Sequence, residues 1–163
     1  MEISLAKNKD LNRINDIYNY YISNTAYTFD INQRTIAERK EWFYQFKNSE
    51  TSICLVGYEN KELVGFVCST KFREKEAYNQ SLETSVYISD KFKGRGFGKK
   101  LMLELIAKLK STNIKNLYAL ITYPNKSSIN LHKTLNFTKV GTLNNVGYKF
   151  KKYWSVHIYE LKL

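Results

Sequence analysis

Apolar residues along the chain follow two alternating periods, which predict a mixture of helices and strands. A period of three to four residues marks four segments as amphipathic helices, and the first of them has Leu11, Ile14 and Ile17 on one face. Asn8 or Asp10 can cap this first helix at its N-terminus. The predicted helices cover residues 10–23, residues 35–46, the stretch that follows Lys100 to about residue 111, and residues 127–135.

Seven further segments have the apolar content, or the alternation with a period of two, that is typical of strands. They cover residues 2–6, 52–58, 62–71, 80–88, 116–122, 137–146 and 153–161. The tight turn Glu59-Asn60-Lys61 joins the second and third of them into a hairpin. Hairpins are thus combined with one strand–helix–strand crossover. This order predicts an α/β (α+β) fold with a mixed, mostly antiparallel sheet of about seven strands, flanked by about four helices.

Length and composition limit the class of protein. The 163 residues are 43% hydrophobic and 25% charged, with one proline and no linker or repeat, which is typical of a single globular domain over residues 1–163. No apolar run reaches the roughly 20 residues of a membrane helix, and the N-terminus lacks a secretion signal, so we expect a cytoplasmic protein that binds no membrane. Cys54 and Cys68 are expected to be buried free thiols, and no residues have the spacing of a metal site.

The net charge of +11 indicates a polyanionic partner without choosing among nucleic acid, an anionic membrane and a phosphorylated cofactor. A cluster of glycines, Gly94, Gly96 and Gly98, lies between a predicted strand and a predicted helix. Glycine lets backbone N–H groups turn outward, and the helix adds free N–H groups and the positive end of its dipole. Four cationic residues surround the turn: Lys93, Arg95, Lys99 and Lys100. The segment is predicted to bind phosphate or pyrophosphate, the alternative being a basic turn with flexible glycines.

These residues also resemble a known family. Val86-Tyr87-Ile88-Ser89, followed by Lys93-x-x-Gly96-x-Gly98 and a helix, resembles motif A of the GNAT N-acetyltransferases. Three further blocks, in the same order, resemble its phosphinothricin and methionine sulfone acetyltransferase branch. They are Ala77-Tyr78-x-x-Ser81-x-Glu83-x-Ser85-Val86-Tyr87, then Pro124-Asn125 with Leu131-His132-x-x-x-x-Phe137, then Gly147-Tyr148-Lys149-x-x-x-x-Trp154. The resemblance spans residues 7–161 and implies the GNAT fold and an acetyl-CoA-dependent N-acetyltransferase.

The resemblance assigns binding of acetyl-CoA to two segments and one asparagine. It implies that the strand Val86, Tyr87 and Ile88 pairs with the pantetheine arm, and that the Ile88 N–H stabilises the oxyanion. It implies that the turn binds the pyrophosphate through Lys93, Gly94, Arg95, Gly96, Phe97, Gly98 and Lys99. Asn125 is implied to contact the pantetheine arm, and it can equally cap the helix that follows. Lys93 replaces the usual Gln or Arg, and Asn136 replaces a usual glycine, but both substitutions are compatible with these roles.

Two residues are candidates for proton transfer. Glu83, on the strand that leads into the cofactor segment, is the candidate general base, and its alternative is a surface glutamate paired with a lysine. Glu83 shares one strand face with Ser85 and Tyr87. His132 is the candidate that protonates the leaving thiolate, and its alternative is a packing histidine bonded to a backbone carbonyl.

The resemblance implies that the acceptor is the amine of a small amino-acid analogue. Family resemblance places Arg73 on the substrate side, and Tyr27, Phe29 and Tyr78 are expected to shape the pocket. Asn79 stands where relatives often have a basic residue, so a GNAT enzyme that acetylates a peptide or protein is the alternative. Residues 148–154 are expected to close the site, or to form a solvated lysine-rich turn, and we expect a homodimer. A basic module that binds RNA or a membrane is the remote alternative. Such a module needs basic residues and exposed aromatic residues together on one face, whereas the lysines here are scattered along the chain.

Overall fold

The computed structural model describes all residues from Met1 to Leu163 and has the predicted seven strands and four α-helices. The strands are β1 (Glu2–Leu5), β2 (Cys54–Glu59), β3 (Glu62–Lys71), β4 (Ser81–Ile88), β5 (Asn116–Tyr123), β6 (Thr138–Lys149) and β7 (Lys152–Lys162). The helices are α1 (Leu11–Asn24), α2 (Ile36–Phe43), α3 (Phe97–Lys110) and α4 (Lys126–Thr134). No helix has the length and apolar character that crossing a membrane requires.

The strands form one sheet in the order β1-β2-β3-β4-β5-β7-β6. Every neighbouring pair is antiparallel except β4 and β5, which run parallel and are joined by the crossover through α3. The parallel pair is short, because it extends only from Ser81 opposite Asn116 to Glu83 opposite Tyr118. Beyond that point the two strands separate. The predicted mixed and mostly antiparallel sheet is confirmed.

Alternation along the strands gives the sheet two apolar faces. One face packs against α3, whose Leu101, Met102 and Leu105 are fully buried. The other packs against α1, with Leu11 and Ile14 in the cluster, and α2 packs on α1. On β4, Val86 and Ile88 belong to the α3 face, whereas Tyr87 belongs to the α1 face. Cys54 and Cys68 are opposite one another on β2 and β3, and both are buried and free, as predicted.

The boundaries differ from the prediction at three turns and at the start of α3, which begins at Phe97 rather than after Lys100. The second helix ends at Phe43 and continues as a 3₁₀ turn to Phe46. The β2–β3 turn has two residues, Asn60 and Lys61, rather than three, and both have positive φ angles, 50° and 66°.

The last hairpin is also longer than predicted. Strand β6 continues to Lys149, and its two-residue turn, Phe150 and Lys151, has φ angles of 54° and 57°. Lys149 is 4% exposed, and its Nζ donates to the Thr28 carbonyl oxygen at 2.9 Å, so this lysine is not part of a solvated turn. The alternative of a solvated turn is therefore wrong for Lys149, because its ammonium group is bonded to a backbone carbonyl instead of to water.

Candidate active site

The separation of β4 from β5 opens a cavity of about 400 Å³ through the sheet. Val86 and Ile88 line it from the α3 face, and Tyr21 and Tyr27 line it from the α1 side. The Ser89 N–H donates to the Val64 oxygen on β3. The N–H and carbonyl groups of successive strand residues point to opposite sides, so those of Ile88 point away from β3 and into the gap. The Ile88 carbonyl oxygen does point into the gap, where it accepts a 2.7 Å hydrogen bond from the Tyr21 hydroxyl.

The glycine turn presents unused backbone donors at one end of this cavity. Gly94 and Gly96 have φ angles of 76° and 77°, which side chains rarely tolerate. The Lys93 N–H donates to the Asp90 oxygen, and the Lys100 N–H donates to the Gly96 oxygen. Each N–H from Gly94 to Lys99, between those two, has no acceptor in the protein. A run of free N–H groups at a helix start is a binding site for a phosphate or diphosphate.

Cations surround these donors. The Lys93 ammonium lies 2.8 Å from the Asp90 carboxylate and 4.8 Å from the centre of the Tyr21 ring. The Arg95 guanidinium packs on the Phe97 ring, at 4.9 Å, and Lys99 lines the cavity. The site therefore combines backbone donors, the start of α3 and positive charge, which fits the diphosphate of acetyl-CoA.

Gly98 has a different reason to be glycine from its two neighbours in the motif. Its φ angle is not in the left-handed region, so its backbone does not require glycine. A Cβ added at Gly98 would lie 3.4 Å from Leu131 Cδ2 and 3.7 Å from Ile88 Cγ1. Both of these side chains line the cavity, so any longer side chain at position 98 extends into the space between α3, α4 and β4.

Asn125 has the helix-capping role that the sequence analysis considered. Its side-chain oxygen accepts a 3.1 Å hydrogen bond from the Ser128 N–H at the start of α4. Asn125 is buried and also lines the cavity, so capping leaves the residue in reach of a ligand. Its contact with the pantetheine arm stays a prediction.

Glu83 lies where β4 and β5 part, on the same sheet face as Ser85 and Tyr87. It is half-buried and forms no ion pair with a lysine. Burial raises the pKa of Glu83, and the positive charge of Arg73 lowers it in part. A carboxylate with a raised pKa is a stronger base than an exposed glutamate, which suits it to accept a proton from an amine.

Replacing Arg73 with glutamine is expected to raise the pKa of Glu83 further, because the variant loses the only cation that lowers this pKa. A ¹³C NMR titration of the Glu83 carboxyl group measures the shift directly. Lys71→Gln, which removes an exposed cation at the end of β3, is the matched control. An unchanged pKa of Glu83 in Arg73→Gln would show that the two groups do not interact.

His132 is buried on α4 and lines the cavity. Its Nδ1 lies 2.8 Å from the Ser128 carbonyl oxygen, and only a protonated ring nitrogen can donate to a carbonyl. Nδ1 therefore carries the proton, and Nε2, which is buried without a hydrogen-bond partner, has the lone pair. Burial lowers the pKa of His132, so the imidazole is neutral at pH 7. The backbone bond considered as the alternative for His132 is present.

The four residues expected around the acceptor occupy three places. Tyr27 lines the cavity, and Phe29 packs against Gly147 of β6, where it leaves no room for a Cβ. Arg73 and Tyr78 instead pack around Phe72 beside Glu83, with Arg73 4.3 Å from the Phe72 ring centre. Several polar residues that line the cavity were not predicted, because an isolated serine or threonine has no distinctive sequence pattern: Thr84, Thr122, Ser127 and Ser128.

Comparisons with known proteins agree with this geometry. The family model described as an acetyltransferase (GNAT) domain matches residues 3–158. The phosphinothricin N-acetyltransferase of Streptomyces coelicolor is 36% identical over 157 residues, which cover 95% of this chain and 92% of that protein. The L-methionine sulfoximine/L-methionine sulfone acetyltransferase of Salmonella typhimurium is 29% identical, covering 100% of this chain and 95% of that protein.

A solved structure extends the comparison to the cofactor. An acetyltransferase from Salmonella typhimurium, solved with its cofactor acetyl-CoA, matches with a TM-score of 0.96 at 28% identity, covering 100% of this chain and 94% of that chain. The expected family and fold are thereby confirmed. The parted strands, the free amides of the glycine turn and these similarities together show that this chain belongs to the GNAT family and is an acetyl-CoA-dependent N-acetyltransferase.

Proposed function

We propose that the acceptor is the amine of a small amino-acid-like molecule of the phosphinothricin or methionine sulfone type. The observation that carries this proposal is the placement of Glu83 at the point where the cofactor cavity begins, beside Arg73. The relatives named for phosphinothricin and methionine sulfone match almost the whole chain, which supports the same acceptor class. An amino acid offers a carboxylate for an arginine and an amine for a base, and this site provides both groups.

In this proposal the main chain binds the donor. Bound acetyl-CoA supplies the thioester from which the acetyl group is transferred by direct attack of the amine. The free N–H groups from Gly94 to Lys99 bind its diphosphate, together with Lys93 and Arg95. The exposed edge of Val86, Tyr87 and Ile88 accepts the pantetheine arm as an added strand, with Asn125 on the opposite wall.

Proton transfer falls to two side chains on this chain. Glu83 accepts a proton from the acceptor amine, directly or through water, because an ammonium group has no lone pair for attack. The Ile88 N–H donates to the carbonyl oxygen as that oxygen gains negative charge. His132 has its proton on Nδ1, bonded to the Ser128 oxygen, and a lone pair on Nε2. After the amine has attacked the thioester, Nε2 accepts the second proton of the amine nitrogen and donates it to the leaving sulfur.

A peptide or protein acceptor is the second candidate. It is favoured by Asn79, which is exposed and supplies no charge where a second cation for a small zwitterion is expected. The expected homodimer and cytoplasmic location stay predictions. No three histidine, cysteine or acidic side chains lie together as a metal site.

The proposal is tested by a thiol-release assay that compares L-methionine sulfone, phosphinothricin, polyamines, aminoglycosides and short peptides as acceptors. We expect the two amino-acid analogues to give the highest kcat/KM. Calorimetry with acetyl-CoA alone is the control, since cofactor binding does not depend on the acceptor. Turnover of peptides without turnover of either amino-acid analogue would exclude the proposed acceptor class.

A further inference from the structure

Arg39, on α2, is a buried cation without an ionic partner. It is 3% exposed, and its side chain lies between two aromatic rings, 4.5 Å from the centre of Tyr18 and 4.5 Å from the centre of Trp42. Its Nε donates to the Asn15 side chain at 3.2 Å, whereas its Nη2 is buried without any hydrogen-bond partner. No carboxylate lies within ion-pairing distance of Arg39.

The carboxylate of Asp30, on the loop after α1, compensates the charge of Arg39 only at a distance, because it is bonded to other groups. Its two oxygens are bonded to Arg34, at 3.0 Å, and to the Tyr18 hydroxyl, at 2.9 Å. A buried charge without a counterion is costly to the folded protein, and its unmade hydrogen bonds add to the cost. Such a residue is stabilised when an anion occupies the space in front of it.

That space is present in the structure. Arg39 lines a second cavity of about 460 Å³ between α1, α2 and the strands β3 and β4. Trp42 and Phe66 provide apolar walls, and Thr70 lies on the sheet side. Four further charged residues line the cavity, and Arg34 among them pairs with two of the three carboxylates: Asp30, Arg34, Glu38 and Glu41. A planar guanidinium with free donors beside aromatic walls suits a small molecule that has both a carboxylate and an apolar body.

The second cavity meets the cofactor cavity at β4. Ser85 and Tyr87 line both cavities, so this strand forms their common wall. Glu83 lies opposite Thr70 in the strand register and on the same face as Ser85. Burial raises the pKa of the Cys68 thiol to about 12. The charge of Arg39 acts to lower this pKa and that of Glu83 acts to raise it, so both charged groups lie near the thiol.

We propose that Arg39 binds the carboxylate of the acceptor and that the second cavity holds the acceptor's body, with the amine directed toward Glu83. This inference rests on the proposed function and assigns the anion-binding role to Arg39 in addition to Arg73. Arg39 is then a specificity-determining residue that favours acceptors with a free carboxylate over amines that lack one.

The test measures preference for the carboxylate by binding rather than by turnover. L-methionine sulfone and its carboxamide are titrated by calorimetry, in the presence of coenzyme A, into the unmodified protein, Arg39→Met and Lys40→Gln. Methionine has a similar volume without charge, and Lys40→Gln removes an exposed cation from the next position of α2. Arg39→Lys tests whether charge alone restores binding.

We expect the unmodified protein and Lys40→Gln to prefer the carboxylate roughly 10- to 100-fold over the carboxamide. In Arg39→Met this preference is expected to disappear, while the affinity for coenzyme A and the melting temperature stay the same or rise. Arg39→Lys is expected to recover part of the preference, because lysine lacks the planar pair of donors. If Arg39→Met does not fold, Arg39→Gln, which also lacks the charge, is titrated in its place and is expected to lose the same preference.

Two negative results have different meanings. If the carboxylate is still preferred to the same extent in Arg39→Met, or in Arg39→Gln where that variant replaces it, the role of Arg39 is wrong and the proposed acceptor class stands. If the unmodified protein binds neither compound although it binds coenzyme A, the acceptor class and the role of Arg39 are both wrong.

Discussion

Replacing Gly98 with leucine is expected to abolish useful acetyl-CoA binding without unfolding the protein. The side chain would extend from a Cβ that lies 3.4 Å from Leu131, into the cavity between α3, α4 and β4. We expect the dissociation constant to rise by roughly 100-fold or more, which corresponds to about 2.7 kcal/mol of lost binding free energy. Calorimetry with acetyl-CoA measures the change.

The matched control is Gly98→Ala. Its Cβ makes only ordinary van der Waals contacts, and the φ angle of Gly98 does not require glycine, so acetyl-CoA should bind nearly as in the unmodified protein. Both variants replace glycine in a helix, which stabilises the helix by up to about 1 kcal/mol. Equal acetyl-CoA affinity in the alanine and leucine variants would mean that the cofactor does not occupy this cavity.

Glu83→Gln is expected to lower turnover by roughly 10²- to 10⁴-fold, the usual contribution of a general base. The variant keeps the shape of the side chain but cannot accept the proton of the amine. Acetyl-CoA affinity should not change, because the free N–H groups of the glycine turn are untouched. Steady-state kinetics together with cofactor calorimetry separate the two effects, and Glu76→Gln, at an exposed position of the β3–β4 connection, is the control.

The same substitution has a predicted effect on stability. Burial raises the pKa of Glu83 in the folded protein, so the folded state holds the proton more tightly than the unfolded chain does. The stability that this proton confers is present below the unfolded pKa of about 4.3 and is lost as pH rises through the folded value. Glu83→Gln should therefore melt at a higher temperature than the unmodified protein at pH 7, and the difference should vanish near pH 4.

A wild-type rate of turnover in Glu83→Gln would remove this carboxylate from the mechanism.

Local sequence patterns were sufficient for the elements of this fold. The alternation through β4 is enough to predict that Glu83, Ser85 and Tyr87 share one face, because side-chain direction in a strand depends only on position. Asn136 adopts φ of 64°, as expected for an asparagine in place of a glycine. The glycine turn was predicted for the same reason, since its conformational demands are local.

Features that depend on tertiary contacts were not predictable in this way. No pattern within β4 or β5 indicates that their pairing stops after three residue pairs, because that depends on how α3 returns the chain. The sequence left open whether Lys149 belongs to a segment that closes the site or to a solvated turn, and its burial depends on a bond to Thr28, 121 residues earlier in the chain. The sequence around Arg39 is typical of an exposed polar helix, and only the approach of α1 and β3 buries this residue.

The short parallel pairing divides the sheet into two half-sheets, β1 to β4 and β5 with β7 and β6, which are joined at one end only. Within each half, all strand pairs are antiparallel and do not depend on the width of the opening. The width of the cavity between the two half-sheets is therefore governed by side chains such as Leu131 and Ile88 and by the packing of α4, rather than by strand register. Shortening these side chains is expected to widen the cavity while every backbone ladder stays intact.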